Sequence, residues 1–187
     1  MVSNEHKFRE LILYIAKLSE ADRRCGRTKL NKLLFYSDFR AYDVLGESIS
    51  GQTYHKRDFG PTPRALMPVV RQLEKERACV WVEGTWHGKP MKKLLALREP
   101  RLAVFRPEEI DLVRRVVEEL WELDAKEISD KSHRFAGWQA AAPKEEIPYN
   151  MVFVDDVRPL SAEEEDWAMT IVEGFREKRA LAGKARA

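Results

Sequence analysis

The chain has 187 residues, of which 44% are hydrophobic and 34% are charged. This length fits one domain, and the apolar fraction is sufficient for a buried core. The 33 basic and 31 acidic residues almost cancel, to a formal net charge of +2, which excludes an overall electrostatic demand for nucleic acid or an anionic membrane.

Two amphipathic segments begin the chain. Apolar residues at helical spacing predict a first helix over residues 4–20, with Asn4 as its N-cap. A second helix is predicted from near Arg27, with Thr28 as its cap and Gly46 as its end. This second helix carries one apolar stripe of leucines and another of aromatic residues, which is typical of a central, largely buried helix.

Prolines dominate the next segment. Residues 47–59 lack helical periodicity and are predicted to be extended or loop-like. A third helix is predicted to start at Pro63, and Pro68 is expected to kink or split it. A β-hairpin follows, with β-prone runs at 79–83 and 91–97 joined by a loop longer than two residues.

The second half of the chain is mainly helical in pattern. Helices are predicted from Pro107, over 125–135, and over 162–178 with Ser161 as a cap. We therefore expect an α+β, predominantly helical fold with a central buried helix, a small β-hairpin and a winged-helix-like core. Residues 1–178 are predicted to form a single domain, followed by a flexible basic tail at 179–187.

The order helix, helix, helix, hairpin is that of a winged-helix DNA-binding regulator. In that interpretation the third helix enters the major groove and the hairpin contacts phosphates. Pro68 and the nearby acidic residues disfavour a straight, basic recognition helix, so nucleic acid is the alternative partner. The DNA-contacting residues would be Arg64, Arg71, Lys75, Lys89, Lys92 and Lys93.

Catalytic and metal-binding patterns are not found. The four histidines match no metal signature, and Ser132 beside His133 does not make a nucleophile–base pair, because adjacent helical side chains point apart. We expect no enzyme activity, no metal and no cofactor. Two cysteines without a paired motif predict reduced thiols in the cytoplasm. The absence of a secretory pattern and of any apolar run of roughly 20 residues predicts no membrane association.

Three stretches, in order along the chain, resemble the Panacea domain family of SocA-like antitoxins and phage-associated proteins. They are TKLNKLLFYSDFRAY, FGPTPRAL, and SHRFAGWQAA with EIPYNMVF. The resemblance spans about residues 7–167. It implies an antitoxin that neutralises a cognate toxin by direct protein–protein binding, and in some members delivers the toxin to a protease. No segment at either end resembles a separate helix-turn-helix module, which argues against autoregulation of the operon.

The resemblance also implies roles for individual positions. Most matching residues of the second helix are expected in the core, while Lys29 and Lys32 are either at the surface or ion-paired. His133 is either a buried, hydrogen-bonded residue or part of a recognition groove. The matching positions are Lys29, Leu30, Lys32, Leu33, Leu34, Phe35, Tyr36, Phe59, Gly60, Pro61, Ser132, His133, Gly137 and Trp138.

A toxin-binding surface is expected to expose aromatic or similar anchors in loops and turns. Trp86, which we predict near the hairpin tip, either forms such an anchor or folds back onto the hairpin. The candidate toxin-binding residues are Tyr54, Phe59, Trp86, His87, His133, Trp138 and Tyr149.

Overall fold

A computed structural model of the chain describes residues 4–155. This part is predominantly helical with two small antiparallel sheets, which confirms the predicted α+β class. The helices are α1 (Glu5–Leu18), α2 (Arg27–Leu45), α3 (Leu66–Lys75), α4 (Pro107–Glu119), α5 (Ala125–His133), α6 (Ala136–Ala140) and α7 (Val152–Asp155). The strands are β1 (Tyr54–His55), β2 (Thr62–Pro63), β3 (Cys79–Trp86), β4 (Lys89–Ala96) and β5 (Glu146–Ile147).

The predicted final helix at 162–178, its cap Ser161, the domain boundary at 178 and the tail at 179–187 lie outside the described residues. Within residues 4–155, three helices precede the hairpin, as predicted, with two short strands inserted before α3. None of the helices in this part is both long and apolar enough to cross a membrane.

The ends of the first two helices follow the sequence signals in part. The Asn4 side chain accepts a hydrogen bond from the Lys7 backbone N–H at 3.0 Å, which confirms the predicted cap. Gly46 ends α2 in the left-handed conformation, also as predicted. Thr28 is wrong as the cap of α2, because Gly26 holds that position without a side-chain hydrogen bond. A Cβ at Gly26 would lie 2.5 Å from Met91 Cγ, so the hairpin packs directly on the helix start.

Pro63 and Pro68 occupy different places from those predicted. Pro63 lies in β2, opposite Tyr54, and not at the start of a helix. Pro68 is the third residue of the continuous helix α3. The first backbone N–H groups of a helix have no intrahelical acceptor, so proline is tolerated there. The predicted split of this helix is therefore wrong.

The hairpin is longer and its turn tighter than predicted. Strands β3 and β4 pair continuously from Cys79↔Ala96 to Trp86↔Lys89. The loop is the two-residue pair His87-Gly88, with positive φ angles of 46° and 73°. Two positive φ angles suit the tight turn that matches strand twist. The prediction of a longer loop was wrong because cross-strand pairing extends through residues whose composition resembles a turn.

Helix α2 lies between two clusters of buried side chains, which confirms the predicted central helix. Its leucine stripe, with Leu30, Leu33 and Leu34, packs in the larger cluster with residues of α1, α3, α4 and the hairpin. Its aromatic stripe, with Phe35 and Phe39, packs in a smaller cluster with residues of β1, α5–α6 and β5. A helix buried on two sides must be apolar on two sides, which explains the unusual pattern.

A buried carboxylate connects α2 to the segment before β1. Asp38 is fully buried and accepts hydrogen bonds from the Ser50 backbone N–H at 2.8 Å, the Ser50 hydroxyl, and the Tyr54 hydroxyl at 2.7 Å. Burial raises the pKa of Asp38, although these donors act in the opposite direction. The chain between α2 and β1 is thereby held against the helix.

Candidate partner-binding site

The three stretches that resemble the antitoxin family meet at Gly60. Its φ angle is +96°, a conformation that glycine adopts without steric cost. A Cβ built at Gly60 would lie 2.3 Å from Ser132 Oγ and 2.8 Å from Lys32 Cε. Side chains of helix α2 and helix α5 therefore both lie against this glycine, and the adjacent Pro61 is buried. The corner is a close-packed junction of all three stretches.

Lys32 lies under this corner and pairs with no acidic residue among residues 4–155. Its side chain is 1% exposed, and its Nζ donates a hydrogen bond to the Pro61 carbonyl oxygen at 2.9 Å. Burial lowers the pKa of Lys32 to about 7. Neither alternative expected from the sequence, surface or ion-paired, describes this lysine.

Lys29 is the ion-paired lysine of the two. Its Nζ lies 2.7 Å from Asp22 Oδ2 and donates to the carbonyl oxygens of Trp121 at 2.6 Å and Leu123 at 2.7 Å. The Lys29 ammonium thus makes one ion pair and two hydrogen bonds, and both charges are buried. Such a pair fixes geometry more than it adds stability. Lys29 joins the α1–α2 connection to the α4–α5 connection.

The late family element forms a stack beside the corner. The His133 and Trp138 rings lie parallel, with centroids 4.0 Å apart. The Lys56 ammonium lies 4.4 Å from the Trp138 ring centroid and donates to the Ala141 carbonyl oxygen at 2.9 Å. Burial lowers the pKa of His133, and the nearby Lys32 acts in the same direction. His133 is therefore a half-buried ring in a packed stack, between the two alternatives open from the sequence.

Close packing also explains Gly137, the other glycine of this element. A Cβ there would lie 2.6 Å from Phe135 Cε1 and 2.9 Å from Ile147 Cγ2. The Trp138 indole N–H donates to the Arg57 carbonyl oxygen at 3.2 Å, so Trp138 holds the segment before the corner. Of the remaining motif residues, Leu30, Leu33, Leu34 and Phe35 are buried and Tyr36 is half-buried, which confirms the expectation that most lie in the core.

Four of the seven candidate anchors line one groove. This surface, which we call the tip groove, has a volume of about 1420 Å³ and is formed by the hairpin tip, the start of α2, and α5. Phe59, Trp86, His87 and His133 all line it, and Phe59 is 70% exposed. Its rim carries charges of both signs: Arg24, Arg27, Lys89, Lys92 and Lys126 with Asp58, Glu83, Asp124 and Asp130.

Two polar atoms in the tip groove have no hydrogen-bond partner among the described residues. They are Trp86 Nε1 and His133 Nε2, and both atoms are buried. Buried polar atoms are almost always paired, so each exception calls for an explanation. The Trp86 ring packs edge-on against His87, at 4.6 Å between centroids, so the ring is held in place while its N–H lacks an acceptor.

Two other candidate anchors are inside the protein. Tyr54 is wrong as an exposed anchor, because it is fully buried between β2 and β5 and donates its hydroxyl to Asp38. Tyr149 is half-buried, stacks on Phe39 and donates its hydroxyl to the Gln52 carbonyl oxygen at 2.7 Å. Burial raises the pKa of both tyrosines. Both residues lie in loop-like sequence, which gives no signal of the short sheet that buries Tyr54.

The six residues of the DNA-binding alternative lie on α3, just before it, and on β4. Arg71 and Lys75 are exposed on α3, whereas Arg64 precedes that helix. Lys93 donates to the carbonyl oxygens of Glu20 and Asp22, at 2.7 and 2.8 Å. Lys92 pairs with Glu83 at 2.9 Å, and Lys89 lines the tip groove. Two of the three hairpin lysines are thus engaged within the protein.

Lys56 and Asp38 are important residues that the sequence did not single out. Lys56 lies in a charged run, where a solvated side chain is the usual outcome, and Asp38 is a lone acid between aromatic residues of α2. An acid in the middle of an apolar helix was the available signal for Asp38. Within residues 4–155, no group of three or more His, Cys, Asp or Glu residues is placed to hold a metal ion.

Comparison with known proteins gives the family. No curated protein and no solved structure matches the chain. The family model described as antitoxin SocA-like, Panacea domain, matches residues 30–139, more than half of the chain. This range contains α2 from Leu30 onward, the Gly60 corner, the hairpin and the His133–Trp138 stack. The chain therefore belongs to the SocA-like antitoxin family and carries its Panacea domain.

Proposed function

We propose that the chain is the antitoxin of a toxin–antitoxin pair and that it neutralises a cytoplasmic toxin by binding it in the tip groove. One observation carries the choice of surface: Phe59, Trp86, His87 and His133, which come from three separate parts of the chain, line the same groove. Family membership supports the choice of partner, because the matching family is one of antitoxins.

The groove has the features of a protein-binding surface. Aromatic side chains at the centre of an interface contribute most of the binding energy, and a mixed-charge rim contributes selectivity. Phe59 supplies exposed apolar area, and the Trp86 ring lines the same groove.

Binding without catalysis is the proposed mode of action. The Ser132 hydroxyl is fully buried and donates to the Ser129 carbonyl oxygen at 2.8 Å, so it is not presented to a substrate. Burial raises the pKa of the Cys79 thiol to about 11, which disfavours the reactive thiolate. These residues favour a structural role for the nucleophilic groups of this part of the chain.

The winged-helix order of elements supports a DNA-binding regulator as the second candidate. That function requires exposed cations on α3 and the hairpin together, and Arg71 and Lys75 are the exposed ones on α3. A mobility-shift assay with the promoter region of its own gene separates the two candidates. A salt-dependent shift would support the regulator, and its absence at low salt would remove it.

Alanine at Trp86 or Phe59 is expected to weaken the complex with the product of the neighbouring gene at least about tenfold, since aromatic anchors contribute about 2 kcal/mol or more. Dissociation constants measured on the co-purified pair check this, together with rescue of growth. Phe153→Ala is the matched control, because Phe153 is 56% exposed and does not line the groove. We expect its affinity to equal that of the wild type.

Two results would contradict the proposal. If the neighbouring product is harmless alone, or stays toxic when this chain is present, the antitoxin function is wrong. If the toxin binds but Trp86→Ala and Phe59→Ala bind as tightly as Phe153→Ala, another surface makes the contact.

The lifetime of the toxin in protease-deficient cells tests the proposed delivery to a protease. Delivery predicts that the toxin lives longer in those cells than in cells with the protease.

A further inference from the structure

A second cavity adjoins the tip groove and shares Arg27, Thr28 and Phe59 with it. We call it the basic pocket; it has a volume of about 290 Å³. Its lining includes Arg27, Arg57, Arg64, Lys32 and His55, and no carboxylate of residues 4–155. This volume is at the lower limit for small-molecule sites, which start at roughly 300 Å³. Three arginines and no described carboxylate in the lining make the cavity suited to an anion.

The three arginines are free to bind a ligand. Arg27, Arg57 and Arg64 are exposed, and none of them forms an ion pair with another described residue. Cations that share a cavity repel each other, and this repulsion is relieved when an anion binds between them. Guanidinium groups bind phosphate through two parallel hydrogen bonds, which favours phosphate over a point-like anion.

Unmet hydrogen-bonding capacity in the same lining is an independent observation. Asn31 Oδ1 and His55 Nδ1 are buried without a hydrogen-bond partner among the described residues. Lys32 Nζ has three protons, and Pro61 O is the acceptor it reaches. Buried polar groups without a partner are uncommon in folded proteins, and a ligand that enters the pocket is one explanation for them. Lys32 and His55 can donate to an anion, whereas Asn31 Oδ1 needs a hydroxyl or N–H from the ligand.

The entrance of the pocket adds two features. Gly26, the N-cap of helix α2, provides no side-chain cap, and Thr28 of the first turn of this helix lines the pocket. The amide groups at the start of a long helix attract phosphate. Phe59 also lines the pocket and is 70% exposed, so an aromatic ring of a ligand can stack on it.

We propose that the basic pocket binds the phosphate group of a small phosphorylated molecule that carries hydroxyl groups, of about the size of a nucleoside monophosphate. The arginines hold the phosphate, Lys32 and His55 donate from the interior, Asn31 accepts from a ligand hydroxyl, and Phe59 contacts the ring. We expect the chain to bind this ligand in the absence of a toxin.

Calorimetric titration of the full chain with adenosine monophosphate, inorganic phosphate and adenosine tests the proposal. We expect adenosine monophosphate to bind, inorganic phosphate to compete with it, and adenosine to bind far more weakly. Arg57→Gln and Arg64→Gln should each weaken binding of adenosine monophosphate about tenfold, because each removes charge-assisted hydrogen bonds. Binding should also weaken as salt is added.

Arg71→Gln is the matched control, because it makes the same charge change at an exposed arginine of α3 outside the lining. Arg57, Arg64 and Arg71 are all exposed, so the three variants are expected to keep the thermal stability of the wild type. The proposal is overturned if adenosine monophosphate does not bind, if adenosine binds as tightly, or if Arg57→Gln and Arg64→Gln behave like Arg71→Gln.

Discussion

Replacement of Gly60 by alanine is expected to lower the free energy of unfolding by about 3 kcal/mol or more. Two causes add at this position. The φ angle of +96° is unfavourable for any residue with a side chain, and the new Cβ would lie 2.3 Å from Ser132 Oγ. The atoms in contact are the ends of two buried side chains, Ser132 and Lys32, so the new methyl group must displace at least one of them. Urea unfolding followed by circular dichroism measures the change.

Other glycines of the chain separate these two causes. Gly84 has no atom within 4 Å of a built Cβ and no positive φ angle, so Gly84→Ala is expected to change stability by about 0.5 kcal/mol or less. Gly46 has equal space but a φ angle of +79°, so Gly46→Ala is expected to cost about 1–2 kcal/mol from backbone strain alone. The excess at Gly60 over Gly46 is then the packing contribution.

The double variant Gly60→Ala, Ser132→Ala gives a further check of the packing contribution. Removal of the Ser132 hydroxyl opens space for the new methyl group, so the double variant should be more stable than the sum of the two single changes predicts. If Gly60→Ala is no more destabilising than Gly46→Ala, the corner is not the close-packed junction that its contacts indicate.

The stability of the protein is expected to increase between about pH 7 and about pH 9 because of Lys32, by about 2 kcal/mol. Burial lowers the pKa of Lys32 from the ordinary 10.5 to about 7. Between these values the unfolded chain holds a proton on this lysine that the folded protein does not hold. Raising the pH removes that proton from the unfolded chain, so it favours the folded state.

Lys32→Met should lose this increase, because methionine fills a similar volume without a titrating group. Lys75→Met is the matched control at an exposed position of α3 and should keep it. The free energy of unfolding of the three proteins, measured by urea denaturation across this pH range, gives the comparison. Both buried thiols titrate alike in all three, so the difference between variants isolates Lys32. An equal pH dependence in Lys32→Met and the wild type would contradict the assignment.

Local signals in the sequence were sufficient for most of the helices. Asn4 and Gly46 are a cap and a stop whose chemistry acts within a few residues, and both were predicted correctly. The two apolar stripes of α2 likewise identified a helix between two clusters, because each apolar face of a helix packs against other apolar side chains. The ordered motifs were also sufficient to indicate the family.

Tertiary contacts decided the places where these signals were wrong. Pro63 joined a strand and Tyr54 was buried because β1 pairs with both β2 and β5, of which β5 is distant in sequence. The hairpin turn tightened because pairing continued to Trp86↔Lys89. Strand pairing is a non-local interaction, so residues that look like loop locally become sheet when a partner strand is present.

The sequence by itself determined the fold class, the central position of α2 and the membership of an antitoxin family, because these depend on periodicity and on motifs within short stretches. The tertiary structure alone decided which motif residues face outward. It placed Phe59, Trp86, His87 and His133 along one groove, and it buried Lys32 beneath Gly60. The physical reason is that exposure and hydrogen-bond partners depend on what lies opposite a side chain, and here those neighbours come from elements far apart along the chain.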